Sequence, residues 1–234
     1  MTGAAGKGMG RSIALTLARE GANVVVNYRT SAKSADAIAA HIEEHGGRAL
    51  PFQADITQQD QCRMLVDAAI EAFEGVDICI VGPGGGWHPE AIDELDAAAA
   101  LEDANCELDP LYNLMPLVLP GMYKRKWGRL IAISLMLDKP SPSFAYNAAK
   151  AARTNAVLSA RDAAWPHGVT VNVVAPGPVG ELATLRQAIE LCEHGMKWQK
   201  RKSVTPQDVA EGVAWLCSDA ADFISGCEMP FMFH

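Results

Sequence analysis

An α/β fold, a doubly wound parallel sheet with helices on both faces, is predicted by three features of the sequence. Short β-branched runs alternate with longer segments of helical period. Most of those runs are apolar at successive positions, as strands covered on both sides require. A glycine-rich segment, residues 1–10, leads directly into the first helical segment. The 234 residues suffice for a single domain, 1–234, and no repeat, low-complexity tract or linker divides them.

Taken in order, RSIALTLAR forms a helix and NVVVNY (23–28) a strand. A helix then runs through His41, and Gly46-Gly47 follows it as a C-terminal cap would. RALPFQAD (48–55) is a strand, succeeded by a helix around 64–73 and the strand VDICIV (76–81). The alanine-rich, acidic AIDELDAAAALED (91–103) predicts a solvated helix, and Asp109-Pro110 reads as an N-cap with proline at the first position of a new helix. Pro116 is expected to kink that helix. Leu111, Leu114, Leu117 and Val118 form an apolar stripe suited to a core or to an oligomer interface. RLIAIS (129–134) and VTVNVVAP (169–176) are further strands, and the mixed-charge excursion 180–203 is a candidate substrate lid.

The composition excludes several function classes. Hydrophobic residues make up 49% of the chain and charged residues 21%, so it buries a sizeable core. A net charge of −8 disfavours nucleic acid and anionic membranes as partners. No apolar stretch long enough to span a bilayer or serve as a secretory signal occurs, so a soluble, cytoplasmic protein is expected. The six cysteines lack C-x-x-C spacing and read as reduced core thiols, with neither a disulfide framework nor a metal site. His41 and His45 are four apart on a helix, but with no third ligand apparent they read as a solvated face.

Two segments carry chemistry. In 1–10, glycines let backbone approach a ligand closely, and the helix start behind them offers free N–H groups to phosphate. Turns and linkers also use glycine, but the order loop, helix, strand favours a nucleotide site. After NVVVNY there is no carboxylate at 27–30 to accept from a ribose 2′-hydroxyl, whereas Arg29 suits a 2′-phosphate. The bland reading is that Arg29 and Lys7 solvate a rim. Tyr146 and Lys150 lie four apart on one helix face, where an ammonium would lower the phenol pKa and fit it for proton exchange, although such a pair is common by chance.

Together these segments resemble the short-chain dehydrogenase/reductase family, and within it members of the 3-oxoacyl-ACP reductase type. Thr2-Gly3…Gly8-Met9-Gly10 is similar to the family's T-G-x-x-x-G-x-G loop, and Ala54-Asp55-Ile56-Thr57 to its adenine-contacting aspartate motif. Tyr146 and Lys150 match Y-x-x-x-K, and 172–179 match the N-V-x-x-P-G-x-I stretch beside nicotinamide. The segments 205–210 and Ser218-Asp219…Ile224-Ser225-Gly226 complete the layout. The resemblance implies a Rossmann-like fold and hydride transfer between a nicotinamide cofactor, NADP(H) in preference to NAD(H), and a carbonyl or alcohol substrate. It assigns the proton exchange to Tyr146, and to Lys150 both the tuning of that phenol and the nicotinamide ribose. Cofactor contacts are implied for Gly3, Lys7, Gly8, Met9, Gly10, Arg29, Asp55, Ile56, Gly84, Tyr146, Lys150, Pro176, Gly177 and Val179. A homo-oligomer, tetramer or dimer, is implied as well.

The departures are specific. Glu107 aligns with the family's relay asparagine, with Asn105 two residues away, and Leu135 aligns with the catalytic serine, leaving Ser134, Ser141 and Ser143 as candidate replacements. Val81-Gly82-Pro83-Gly84 replaces N-N-A-G, Glu181 stands at an expected threonine, and the glycine loop carries one extra residue. Met1 stands where a central strand would be ending, so either a start upstream or an altered amino-terminal edge is expected. The main alternative is a catalytically weakened dinucleotide- or metabolite-binding sensor or assembly subunit. A third is non-redox chemistry with Glu107 or Glu181 as general base. In the lid, Met196 and Trp198 beside Lys197, Lys200, Arg201 and Lys202 suit either an anionic substrate with an apolar body or plain solvation; Trp87 and His88 are further pocket candidates.

Overall fold

The computed structural model describes residues 1–82, 84, 90–136, 143–197, 200 and 202–231. Its elements in chain order are α1 (Met9–Arg19), β1 (Val24–Tyr28), α2 (Ala32–Glu44), β2 (Ala49–Gln53), α3 (Gln59–Phe73), β3 (Ile78–Val81), α4 (Ala97–Arg125), β4 (Gly128–Ile133), α5 (Phe144–Leu158), α6 (Arg161–Ala164), β5 (Val169–Pro176), α7 (Leu185–His194), α8 (Pro206–Cys217) and β6 (Glu228–Phe231). All strand pairs are parallel, β1 with β2 and then β3-β4-β5-β6.

Alternation along the strands sorts the core into two layers. Ile131, Ile133 and Val174 pack with buried residues of α1, α2, α7 and α8, while Leu130, Ala132, Val171 and Val173 pack with those of α3, α4, α5 and α6. The stripe Leu111, Leu114 and Val118 is fully buried in the second layer, with Leu117 partly so. Gly46 adopts φ +83 just after α2, and the Gly47 N–H donates to the Ile42 carbonyl, closing the helix as expected. Among the described residues no helix is long and apolar enough to cross a membrane.

One expectation needs correction. Asp109-Pro110 starts nothing: α4 is one helix of 29 residues, capped by Asp96, whose carboxylate accepts from the Ala98 and Ala99 N–H groups, with Pro110, Pro116 and Pro120 inside it. Pro116 and Pro120 lie on the exposed side, where water can serve the carbonyls they leave without donors, and the buried stripe holds the helix together across them. The sequence does not mark β6, whose short length and Pro230 conceal it. It is an edge strand, where proline is tolerated.

No strand lies between β1 and β3 among the described residues. Residues 1–4 bridge them instead: Thr2 N–H donates to the Ile80 carbonyl (3.1 Å), Asn27 N–H to that of Met1 (3.3 Å) and Ala4 N–H to that of Asn27 (2.9 Å). Beside that bridge a cavity of about 350 Å³ opens between Val24, Val25, Leu65, Val66, Ile78 and Cys79.

Candidate active site

The glycine segment forms a tight cradle. Gly3 sits at φ +62, and its N–H donates to Asn27 Oδ1 (3.2 Å), pinning the turn to the end of β1. A Cβ at Gly10 would collide with the Gly3 carbonyl, so only glycine allows α1 to start this close to the turn. Gly8 precedes α1 without a side-chain cap, which leaves first-turn N–H groups for an anion. Lys7 is exposed; its carbonyl accepts from Leu182 N–H (3.2 Å), while Arg11 donates to the Leu182 carbonyl (2.6 Å). The segment after β5 is thereby fastened to the cradle.

At the rim, Arg29 follows β1 with its side chain 71% exposed and 3.8 Å from Asp55. The Asp55 carboxylate accepts from the Thr57 N–H (3.0 Å) and hydroxyl (2.8 Å). Asn113 of α4 donates to the Ile56 carbonyl (3.2 Å), fixing the aspartate motif against the second helical layer. At the other end, Gly177 N–H donates to the Phe231 carbonyl (3.1 Å) just past Pro176, and Val179 bridges to Val204. Glu181 is exposed. Pro83, Trp87, His88, Ser141, Trp198 and Arg201 lie outside the described residues.

Tyr146, Lys150 and Arg153 fall at i, i+4 and i+7 of α5 and so share one face. Tyr146 is half-buried; Lys150 and Arg153 are buried. Glu107 of α4 meets them: its Oε1 lies 2.7 Å from Lys150 Nζ and its Oε2 3.4 Å from Arg153 Nη1. The guanidinium also donates to the carbonyls of Ile133 (3.0 Å), Glu107 (2.7 Å) and Val81 (2.9 Å), and to that of Gly82, tying the carboxyl ends of β3 and β4 to α4. Gly84 N–H donates to Glu107 Oε2 (3.2 Å). The Lys150 ammonium is paired with Glu107 Oε1, and since an ammonium has three N–H donors, that contact does not use them all. The remaining donors suit a ligand bearing hydroxyl groups.

Charge in this cluster runs against one expectation. The Tyr146 phenol lies above its ordinary range, first because of burial and then because of Glu107, with Arg153 opposing. A lowered phenol was expected from Lys150, but the ammonium stands 5.2 Å from the ring centroid and faces Glu107. Burial also pulls Lys150 itself down to about 8, against the pull of Glu107. Ser134 is settled too: its hydroxyl donates to the Lys150 carbonyl (3.2 Å) and shares a hydrogen bond with Thr154 (2.7 Å), so it faces α5, as strand alternation predicts. Ser143 is buried one residue before α5, and Leu135 is half-buried. Arg153 was not singled out in the sequence; the signal was an arginine on the same helical stripe as Tyr146 and Lys150.

A parallel sheet with a glycine turn at its first helix and a Tyr/Lys pair at the carboxyl ends of its strands defines the NAD(P)-binding Rossmann-fold oxidoreductases. Residues 3–231 match the family model described as enoyl-(acyl carrier protein) reductase. An uncharacterized oxidoreductase of Methylorubrum extorquens is 34% identical, over 97% of this chain and 92% of that protein. The 3-oxoacyl-[acyl-carrier-protein] reductase of Synechocystis is 31% identical over 97% and 91%, and the 7α-hydroxysteroid dehydrogenase of Escherichia coli 31% over 95% and 88%. A solved 7α-hydroxysteroid dehydrogenase complexed with NADH and 7-oxo glycochenodeoxycholic acid superposes with a TM-score of 0.84 at 28% identity, covering 99% of this chain and 91% of that one. The chain belongs to the short-chain dehydrogenase/reductase family and is an oxidoreductase of that family.

Proposed function

We propose that the protein is a cytoplasmic, NADP(H)-preferring oxidoreductase that interconverts a ketone and a secondary alcohol on a small molecule, Tyr146 exchanging the proton with the substrate oxygen. The observation that carries this reading is the half-buried phenol of Tyr146 on the same face of α5 as the buried, Glu107-paired ammonium of Lys150, which stands 5.2 Å from its ring centroid. Relatives named for 3-oxoacyl and 7α-hydroxysteroid substrates support the ketone/alcohol pair.

A nicotinamide dinucleotide supplies or accepts the hydride when bound. Gly3, Lys7, Gly8, Met9 and Gly10 would hold its diphosphate at the start of α1, Arg29 its 2′-phosphate, and Asp55 and Ile56 its adenine side. Lys150 would take the ribose hydroxyls, with Gly84, Pro176, Gly177 and Val179 along the nicotinamide end. A phenol is protonated at neutral pH, and burial and Glu107 raise it further, so Tyr146 is in the form that donates to a carbonyl oxygen during reduction. Segment 180–203, fastened to the glycine turn through Leu182, would close over the substrate. Exposed Tyr112 on α4 and Phe144 on α5 support homo-oligomer formation through these helices.

The test is a titration with NADPH and, separately, NADH. NADPH should bind more tightly, and Arg29→Ala should weaken NADPH alone by roughly 10- to 100-fold, the value of a charge-assisted hydrogen bond of about 1.5–3 kcal/mol. Equal affinity for both cofactors in wild type would remove the NADP preference. Binding of neither would remove the dehydrogenase reading.

A further inference from the structure

The sequence shows His41 and His45 one turn apart on α2 without a third ligand; the fold brings one. One ring nitrogen of each histidine and a carboxylate oxygen of Glu193 on α7 lie within 4.8 Å of one another. We propose that His41, His45 and Glu193 form a surface site for a divalent transition-metal ion, Zn²⁺ being the reference occupant, that clips α2 to α7. The assignment is independent of the redox reading above.

Two features prepare the cluster for a metal. His45 Nδ1 is 2.8 Å from the His41 carbonyl; a carbonyl only accepts, so Nδ1 carries the proton and Nε2 keeps its lone pair for an ion. The backbones are also anchored. Ile42, next to His41, is buried in the first core layer, and so is Cys192, next to Glu193. The Cys192 carbonyl further accepts from Arg19 (2.6 Å).

Two imidazoles and a carboxylate suit Zn²⁺, Ni²⁺ or Cu²⁺ better than Mg²⁺ or Ca²⁺, which prefer all-oxygen shells. Bonds of about 2.0–2.2 Å require ligand atoms roughly 3.3 Å apart. Glu193 is exposed, so its side chain is free to adjust toward the imidazoles. Water would complete the coordination.

Isothermal titration of the cofactor-free protein with ZnCl₂ should show one ion per chain, and the thermal midpoint should rise with ion concentration. His41→Ala and Glu193→Ala should each weaken binding by at least the 10- to 100-fold that loss of an outer-shell partner costs. The melting of Glu193→Ala in chelator should match wild type, since that side chain is exposed. Co²⁺ should give a nitrogen/oxygen-type spectrum. No saturable binding, affinity unchanged in Glu193→Ala, or a thiolate-to-cobalt charge-transfer band from one of the free cysteines would each overturn the assignment.

Discussion

Glu107 Oε1 stands 2.7 Å from Lys150 Nζ, and each side chain is only 1% exposed. With Arg153 fully buried alongside, the cluster holds two cations and one anion, and the anion is what allows both cations to remain inside. Glu107→Ala should therefore lower unfolding stability by about 3–5 kcal/mol, the cost of leaving a buried charge without its partner. Glu107→Gln should cost less, because the amide oxygen still accepts from Gly84 N–H. Urea unfolding of both variants checks this; an alanine variant within about 1 kcal/mol of wild type would show that the carboxylate does not hold these charges.

The proton assignment makes a separate prediction. Tyr146→Phe keeps the half-buried ring and removes only the hydroxyl, so the fold and the affinity for NADPH should persist. Carbonyl reduction should slow by about 10²–10⁴-fold, the usual contribution of a positioned acid. Measuring kcat and NADPH binding on the same preparation separates the two effects. An unchanged kcat would take the proton transfer away from Tyr146.

Strand positions were legible because burial on both faces leaves uninterrupted apolar runs: β1, β3 and β5 fall within the segments that the sequence marks. The start of α4 was not, because a locally good cap at Asp109-Pro110 competes with a buried stripe whose packing is set by the whole fold. β6 escaped for a related reason, since an edge strand need not be apolar on both faces. Helical spacing places Tyr146 and Lys150 on one face, but only the resemblance to the family's Y-x-x-x-K singles the pair out. The direction of the phenol shift was not legible, because it depends on Glu107, which arrives from another helix, and on burial, which spacing does not report. Glu193 was likewise invisible beside His41 and His45, being brought to them only by the packing of α7 on α1.

Ser134 is the nearest hydroxyl in sequence to the position where the family carries its catalytic serine, yet it is committed to Lys150 and Thr154 on α5. Ser134→Ala should consequently cost about 1 kcal/mol of stability, the value of an ordinary intramolecular hydrogen bond. Carbonyl reduction should proceed at the wild-type rate. A fall of about 10²–10³ in kcat, as for a lost oxyanion donor, would instead show this hydroxyl turned toward the substrate.

Buried thiols set the alkaline limit. Burial pushes Cys79 up to about 11, and Cys62 and Cys217 up to about 12, from an ordinary 9. A thiol that keeps its proton in the folded state contributes stability that is complete below pH 9 and is lost as pH rises through the folded value, at up to about 1.4 kcal/mol per pH unit for each group. Lys150 has the opposite sign. Lowered from 10.5 to about 8, it adds stability as pH rises from about 8 to 10.5, because the unfolded chain then binds the extra proton. Three thiols outweigh one lysine, and Cys106 and Cys192, also raised by burial, add to the thiol side. Urea unfolding midpoints should therefore fall between pH 9 and 10, fall less steeply in a Cys62→Ala/Cys79→Ala/Cys217→Ala variant, and fall more steeply in Lys150→Met. Midpoints that rise through this interval in wild type would mean that the three thiols are not held protonated inside the fold.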